Sequence, residues 1–523
     1  MRLTSYLNGR WQDGTGEGAA LRDPVTGETL AHASADGLDL AAGLSWARSR
    51  GGPALRAMTY GQRAALLRAI ADVLTANREA YGAIALRNSG NTAVDAAMDI
   101  DGGIGTLKYY ASLGKRLGDA RLLMEAGSDQ LAKDEAFRAA HIWTPVQGVA
   151  VCINAFNFPS WGLWEKAAVA LLSGVPVVAK PATATAWLTH QMVEDVIAAG
   201  VLPDGALSLV CGGGRGLMDA LGRWDLVSFT GSFDTARSLR AHPAVQDNNL
   251  RFAMEADSLN LCCFGPDAGP DSAEFALAVK EVTRELTIKA GQKCTAIRRI
   301  LVPRAFHADA VEALKASLEK VAVGDPRVEG VRMGPLVSKA QQAAAWEGIA
   351  TLSAEARVVT GGADRSYAPG GVDPDHACFV PPTLLACDSP LDGKAVHAVE
   401  VFGPAATIMP YDDPAQAADL AALGGGSLAA SVFTGDDAFA LSFVPAIAPS
   451  HGRLLVVNEA IGKSHTGHGN AMPQTVHGGP GRAGGGEELG GLRALRFYHQ
   501  RSAVQSSADR LEALRAQAVE VAL

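Results

Sequence analysis

Between Val149 and Ala256 the chain switches repeatedly between apolar, β-branched runs and segments of helical periodicity. VAVCINAF (149–156) predicts a strand, EKAAVALLSG (165–174) a helix and VPVVAKPA (175–182) a buried strand. TATAWLTHQMVEDVIAAG (183–200) predicts a helix, and ALSLVCG, DLVSFTG and RFAMEA predict three further strands. Strands that alternate with helices demand parallel pairing, because each crossover must return the chain to the same end of the sheet. The expectation is a doubly wound α/β sheet, whose ligands sit at the carboxyl ends of the strands.

The flanking regions add to this frame. Residues 1–35 predict short strands and turns, with Asn8-Gly9 and Asp13-Gly14 as hairpin dipeptides. RAALLRAIADVLTANREAYGAIAL (63–86) carries apolar residues at threes and fours, a helical face. Near residue 260 a second α/β region begins and runs to about 457. The Gly/His-rich tract that follows reads as a flexible loop, and residues 506–523 as a surface helix.

Composition excludes several function classes. A net charge of -9 without a long Lys/Arg block argues against nucleic acid. The start lacks an apolar signal core and no run of apolar residues suits a membrane span, so a cytoplasmic protein is expected. Seven cysteines form no CxxC pair, which argues against a zinc ribbon or a disulfide framework. His465, His468 and His477 match no standard zinc spacing, so no metal is expected.

The candidate chemistry lies at the ends of predicted strands. Cys294, in GQKCT after an amphipathic helix, reads either as a nucleophile or as a buried structural thiol. Gly291 beside it would let a ligand approach the backbone. Glu255 ends the strand RFAMEA, as a base or as a solvated cap. Asn157 in FNFP could donate to an oxyanion or support a turn. Lys180 closes a run of buried β-formers, which suits an anion such as phosphate. Phe229, Thr230, Gly231 and Ser232 pass from strand to helix and would present N–H groups to a phosphate. CGGGRG (211–216) could form a second such loop but lacks a full dinucleotide fingerprint.

Taken in order, FNFP, AKPA, SFTGS, GQKCT and EVFGP resemble the motifs of the aldehyde dehydrogenase superfamily over nearly the whole chain. The resemblance implies that Asn157 holds the oxyanion, Glu255 is the base and Cys294 the nucleophile. It implies that Lys180, Thr183, Phe229, Gly231, Ser232, Glu400 and Phe402 meet a nicotinamide cofactor. It also implies a Rossmann-type cofactor domain (1–136 and 147–260, with a return at 458–485) and an α/β catalytic domain (261–457). A small β bridging arm (137–146 and 494–504) would pair two subunits as a homodimer.

MEADSLN and the ending PQTVHGGPGRAGGGEELGG resemble one branch, which acts on CoA-linked semialdehydes in aerobic aromatic breakdown. In one kind of relative, from phenylacetate breakdown, a hydratase domain follows. This chain's end at Leu523 favours a stand-alone enzyme of benzoate breakdown, with the phenylacetate reading open as the alternative. Many NAD-using relatives carry a glutamate where Thr183 stands, so NADP is expected over NAD. A cysteine thioester hydrolase without redox chemistry is the reading from another class.

Overall fold

The computed structural model describes residues 1–522. A seven-stranded sheet runs in the order Arg251–Glu255, Leu226–Thr230, Ala150–Ile153, Val177–Lys180, Leu207–Leu209, Ser5–Leu7, Arg10–Gln12. The first five of these strands are mutually parallel. Their central residues are buried on both faces, which is why they read as unbroken apolar runs and not as alternating ones. The last two form an antiparallel hairpin at Asn8 (φ 54°) and Gly9 (φ 71°). Both turn residues have positive φ, as the Asn-Gly dipeptide leads one to expect.

Chain order grows outward from Ala150–Ile153 to Val177–Lys180 and Leu207–Leu209. It then crosses back to Leu226–Thr230 on the other side. The reversal opens a crevice at the carboxyl end of Ala150–Ile153, where residues 154–159 leave the sheet. Helices Tyr60–Ala76, Ala93–Leu117 and Trp161–Leu172 cover one side, and Leu67, Ile70, Leu107, Trp164 and Leu171 meet in one core. Capping boxes at Thr59–Gln62 and Thr92–Asp95 start the first two of these helices.

A second seven-stranded sheet has the order Arg357–Thr360, Thr383–Ala386, Ala405–Tyr411, Arg299–Pro303, Leu261–Phe264, Ser427–Phe433, His451–Val457. All pairs are parallel except the first. Among the described residues no helix is long and apolar enough to cross a membrane.

The third sheet differs from the arm read in the sequence. Phe137–Pro145 pairs antiparallel with His499–Ser507, while residues 494–498 are helical and not part of the strand. Leu122–Glu125 and Asp129–Gln130 join the same sheet, which therefore extends beyond the 137–146 read as the arm. The C-terminal segment is also not one helix. A helix at Ala508–Arg515 buries only Leu511, and Ala518–Val521 becomes a strand parallel to Leu122–Glu125. The pairing buries Val521 and supplies backbone partners that a short polar helix would not gain.

Asp225 ties the N-terminal helices to the first sheet. Its side chain is 1% exposed and accepts from Val149 N (2.9 Å), Gly222 N (2.6 Å) and Arg48 Nε (3.0 Å). Asp225→Ala leaves these donors unpaired. The expected loss is about 3 kcal/mol, the usual cost of breaking a buried pair from one side. Urea unfolding checks it, and a loss below about 1 kcal/mol would mean the contact behaves as a surface pair.

Candidate active site

The carboxyl ends of the first sheet converge on one cleft. Asn157, Thr230, Glu255, Cys294, Thr295 and His477 line it. Acceptor and donor atoms of Glu255, Cys294 and His477 lie within 4.8 Å of one another. Of the residues read from the sequence as catalytic, the fold thus brings Asn157, Glu255 and Cys294 together.

Cys294 is placed by a strained turn. Helix Ala273–Thr287 ends, and Lys289 (φ 51°), Ala290 (φ 51°) and Gly291 (φ 68°) follow in left-handed conformations. Each non-glycine residue there costs on the order of 1 kcal/mol. Buried hydrogen bonds hold the turn. Lys289 N donates to Asp95 (2.7 Å), and Asn260 Nδ2 donates to the carbonyls of Cys294 (2.7 Å) and Ala296 (2.9 Å). Arg298 donates to the carbonyls of Gly291, Lys293 and Gly403. Gly291 does not admit a ligand, as the sequence suggested. A Cβ there would meet the Gly403 carbonyl at 2.3 Å, so the glycine is required by the protein's own backbone.

The electrostatics around Glu255 are the site's main feature. Burial pushes this carboxyl up, but His477 Nε2 at 3.2 Å and the Lys166 ammonium pull harder, and the balance lies at about 2. Burial pushes the Cys294 thiol well above its ordinary range, and the Glu255 charge adds to the rise. Burial disfavours a charged His477, yet Glu255 outweighs it and raises the imidazole. Lys166 Nζ bridges Glu165 Oε1 and Glu488 Oε2 at 2.9 Å each. Burial pushes Glu165 up to about 7 despite that ammonium. Ser228 Oγ donates to Glu488 at 2.7 Å.

A second group of side chains lies along the strand ends nearby. Lys180 is half-buried, its Nζ donates to the Pro181 carbonyl at 3.1 Å, and partial burial lowers its pKa. Thr183 Oγ1 donates to Gly212 O at 3.1 Å and so anchors the 211–216 loop, whose Arg215 is exposed. Gly214 packs beside Lys180. The Phe229 ring lies against Gly231, where a Cβ would approach it to 2.6 Å. Ser232 caps the helix Phe233–Arg240, and Asp257 accepts from Phe233 N at 3.0 Å. Glu400 accepts from Ser258 N at 2.9 Å, while its Oε1 is buried with no hydrogen bond and lies 3.6 Å from Arg298 Nε. Burial raises Glu400 to about 7, partly offset by Arg298. Phe402 meets Phe156 edge-on at 5.6 Å and carries the Arg298 guanidinium 5.7 Å from its ring. An ammonium held by a single carbonyl, a carboxylate oxygen with no hydrogen bond and a half-buried aromatic ring fit a nucleotide with a nicotinamide ribose.

Several site residues escaped the sequence reading. The Gly/His tract is not a flexible loop here. Val476–Gly478 pairs antiparallel with Glu487–Leu489, and His468 is buried with Nδ1 3.0 Å from Ser431 Oγ. Glu165 and Lys166 sat inside a predicted helix, and Glu488 in a glycine-rich segment. The only signal was a charged pair in a helix whose other residues are nearly all apolar. The Glu255, Cys294 and His477 atoms could also surround a metal ion, but such an ion would occupy the sulfur lone pair and the carboxylate that the thiol chemistry requires.

Residues 11–504 match the aldehyde dehydrogenase family, and the chain belongs to it. It is an oxidoreductase acting on aldehyde groups. Among its relatives is the 3,4-dehydroadipyl-CoA semialdehyde dehydrogenase of Aromatoleum evansii. The two are 56% identical over 480 residues, covering 92% of this chain and 93% of that protein. The NADP(+) succinate-semialdehyde dehydrogenase GabD of Escherichia coli (strain K12) is 29% identical over 419 residues, covering 79% and 81%. In three dimensions a 3,6-anhydro-L-galactose dehydrogenase superposes with a TM-score of 0.84 at 22% identity, covering 97% of this chain and 100% of that one.

The Glu255 charge makes a prediction about the thiol. Glu255→Gln removes the anion that raises Cys294, so the thiolate fraction grows. Alkylation of Cys294 by iodoacetamide should shift to lower pH by about one unit, roughly tenfold faster near neutrality. An unchanged alkylation profile would show that Glu255 does not act on the thiol.

Proposed function

We propose that this enzyme oxidises a CoA-linked semialdehyde of aerobic aromatic breakdown, such as 3,4-dehydroadipyl-CoA semialdehyde, to the free carboxylate, with NADP as acceptor. The observation that carries the chemistry is the single cleft in which a thiol, a buried carboxylate and an asparagine meet. The substrate class is supported by the likeness to the Aromatoleum evansii enzyme over nearly all of both chains.

Cys294 gives its proton to Glu255 and attacks the aldehyde carbon. The Asn157 amide and the Cys294 N–H hold the oxyanion, and one such donor is worth about 3 kcal/mol. Loss of hydride from the adduct carbon leaves a thioester on Cys294. Lys180, Ser232, Glu400 and Phe402 would hold the nicotinamide cofactor, which would supply the hydride acceptor. Glu255 then takes a proton from water, the hydroxide attacks the thioester, and the carboxylate leaves as the thiol is restored. A base at this position favours water over coenzyme A as the acyl acceptor, so the coenzyme A of the substrate is a remote handle.

For the cofactor, the hydroxyl of Thr183 adds no charge near Lys180 and Arg215, which suits an additional phosphate. The relative GabD is named for NADP(+). A homodimer belongs to the same proposal. Among the described residues no strand lies beside the outer edge of His499–Ser507, and an open edge is a template for pairing.

The direct test follows the absorbance of reduced cofactor with CoA-linked semialdehydes and simple aldehydes, with Cys294→Ala as control. Turnover confined to the thioester semialdehydes, and lost in the variant, is expected. Equal turnover of simple aldehydes would remove the substrate assignment. For the cofactor, Thr183→Glu should lower the NADP to NAD ratio of kcat/KM by about tenfold or more, because a carboxylate repels a 2′-phosphate. A wild-type preference for NAD would overturn the NADP assignment.

A further inference from the structure

His477 has no part in the steps above, yet it is 3% exposed and makes the closest charged contact of Glu255. Its placement is fixed by the backbone. In the pair of strands Val476–Gly478 and Glu487–Leu489, His477 stands directly opposite Glu488. Opposed residues of an antiparallel pair project to the same side of the ribbon. Glu488 reaches Lys166 on that side, and His477 reaches Glu255. The next two residues have no freedom to shift. A Cβ on Gly478 would meet the Gly486 carbonyl at 1.9 Å, and one on Gly479 the Ser427 carbonyl at 2.3 Å.

We propose that His477 is a positioning residue for the reaction: its imidazolium keeps Glu255 ionised and aimed at Cys294. This rests on Glu255 being the base. The groups that face Glu255 are His477, Lys166, the Cys294 thiol and the carboxylates of Glu165 and Glu488. Arg453 stands further off and feels both Glu255 and Cys294. Two of the close groups are anions and one is a neutral thiol. Lys166 is already shared between Glu165 and Glu488. Among the described residues His477 is therefore the only close cation whose contact is with Glu255 itself. Its other nitrogen, Nδ1, is buried without a protein partner, so the charge of the ring is governed from the Glu255 side.

The sign of the effect follows. With His477 in place, Glu255 is held below the ordinary carboxylate range and stays ionised across neutrality. Without it, burial dominates and the carboxyl rises, so the base is lost as pH falls. His477→Leu removes charge and hydrogen bond, and His477→Gln keeps a donor without charge. In His477→Leu an acid limb should enter the kcat profile between pH 5 and 8, about tenfold for each pKa unit gained. Activity should recover toward wild type at alkaline pH. His477→Gln should lie between the two.

A second readout does not depend on turnover. The infrared band of a protonated carboxyl, assigned by its loss on adding Glu255→Gln, should appear in His477→Leu at pH 6 and be absent from the wild type. A drop in kcat that is equal at every pH, or no such band in the variant, would overturn the role of His477. Absence of turnover in the wild type with every aldehyde would instead sink the proposed reaction, while the infrared result would still decide the ion pair.

Discussion

A carboxylate buried beside a thiol is the arrangement on which this site depends. Transferring an isolated carboxylate out of water costs several kcal/mol even after relaxation, and the low-dielectric site would sooner protonate it. Here the charge is retained because two cations approach from different elements. Lys166 comes from helix Trp161–Leu172, and His477 from the strand pair near the end of the chain. Neither would be tolerated without the carboxylates. Lys166 is itself nearly inaccessible, and Glu165 and Glu488 hold it charged against burial. The cluster is thus self-consistent only as a whole, so removing one member should disturb the ionisation of the rest.

The fold supplies the meeting point. The switch in strand order puts the ends of Ala150–Ile153, Leu226–Thr230 and Arg251–Glu255 side by side. Register aligns Thr230 with Glu255, so both close the same rim. Cys294 arrives from the other sheet, on a turn that would not form from propensity alone. Its left-handed residues persist because Asp95, Asn260 and Arg298 saturate the surrounding carbonyls and N–H groups. Strain at Cys294 is therefore borne by hydrogen bonds that reach from the first helical layer and from the loop after Glu255.

What could be read in advance followed from locality. The strands between Val149 and Ala256 announce themselves by apolar runs, and the residues at their ends follow from where parallel sheets bind ligands. Cys294, Glu255, Asn157 and Lys180 were accessible in this way because each sits in a short motif next to a predicted element. His477 was not. Its sequence surroundings are glycines and polar residues, and its role arises from a strand pairing with residues 487–489 and from a contact with residue 255. Gly291 was misread for a related reason: the carbonyl that excludes a side chain belongs to Gly403, more than a hundred residues on. The arm was under-read because Ala518–Val521 joins Leu122–Glu125, about three quarters of the chain away. Long-range pairing leaves little trace in local periodicity.

The opposed displacements of Cys294 and Glu255 bear on how one carboxylate can serve twice. The thiol is driven up and the carboxyl down, so the resting pair is thiol and carboxylate. A proton passed from sulfur to Glu255 is therefore uphill until the aldehyde carbon captures the sulfur. The thiolate is made when substrate is present to consume it, which limits wasteful oxidation or alkylation of an exposed nucleophile. The second use then needs an empty carboxylate. Glu165 lies within 4.8 Å of Glu255 and holds a proton more tightly, at about 7 against about 2. In the proposed reaction the proton taken from sulfur must leave Glu255 before water is deprotonated, and Glu165, whose carboxyl burial raises, is the neighbour able to receive it. Because the thioester carbon lies one bond from the sulfur that the base first faced, the regenerated carboxylate needs no large movement to reach the attacking water.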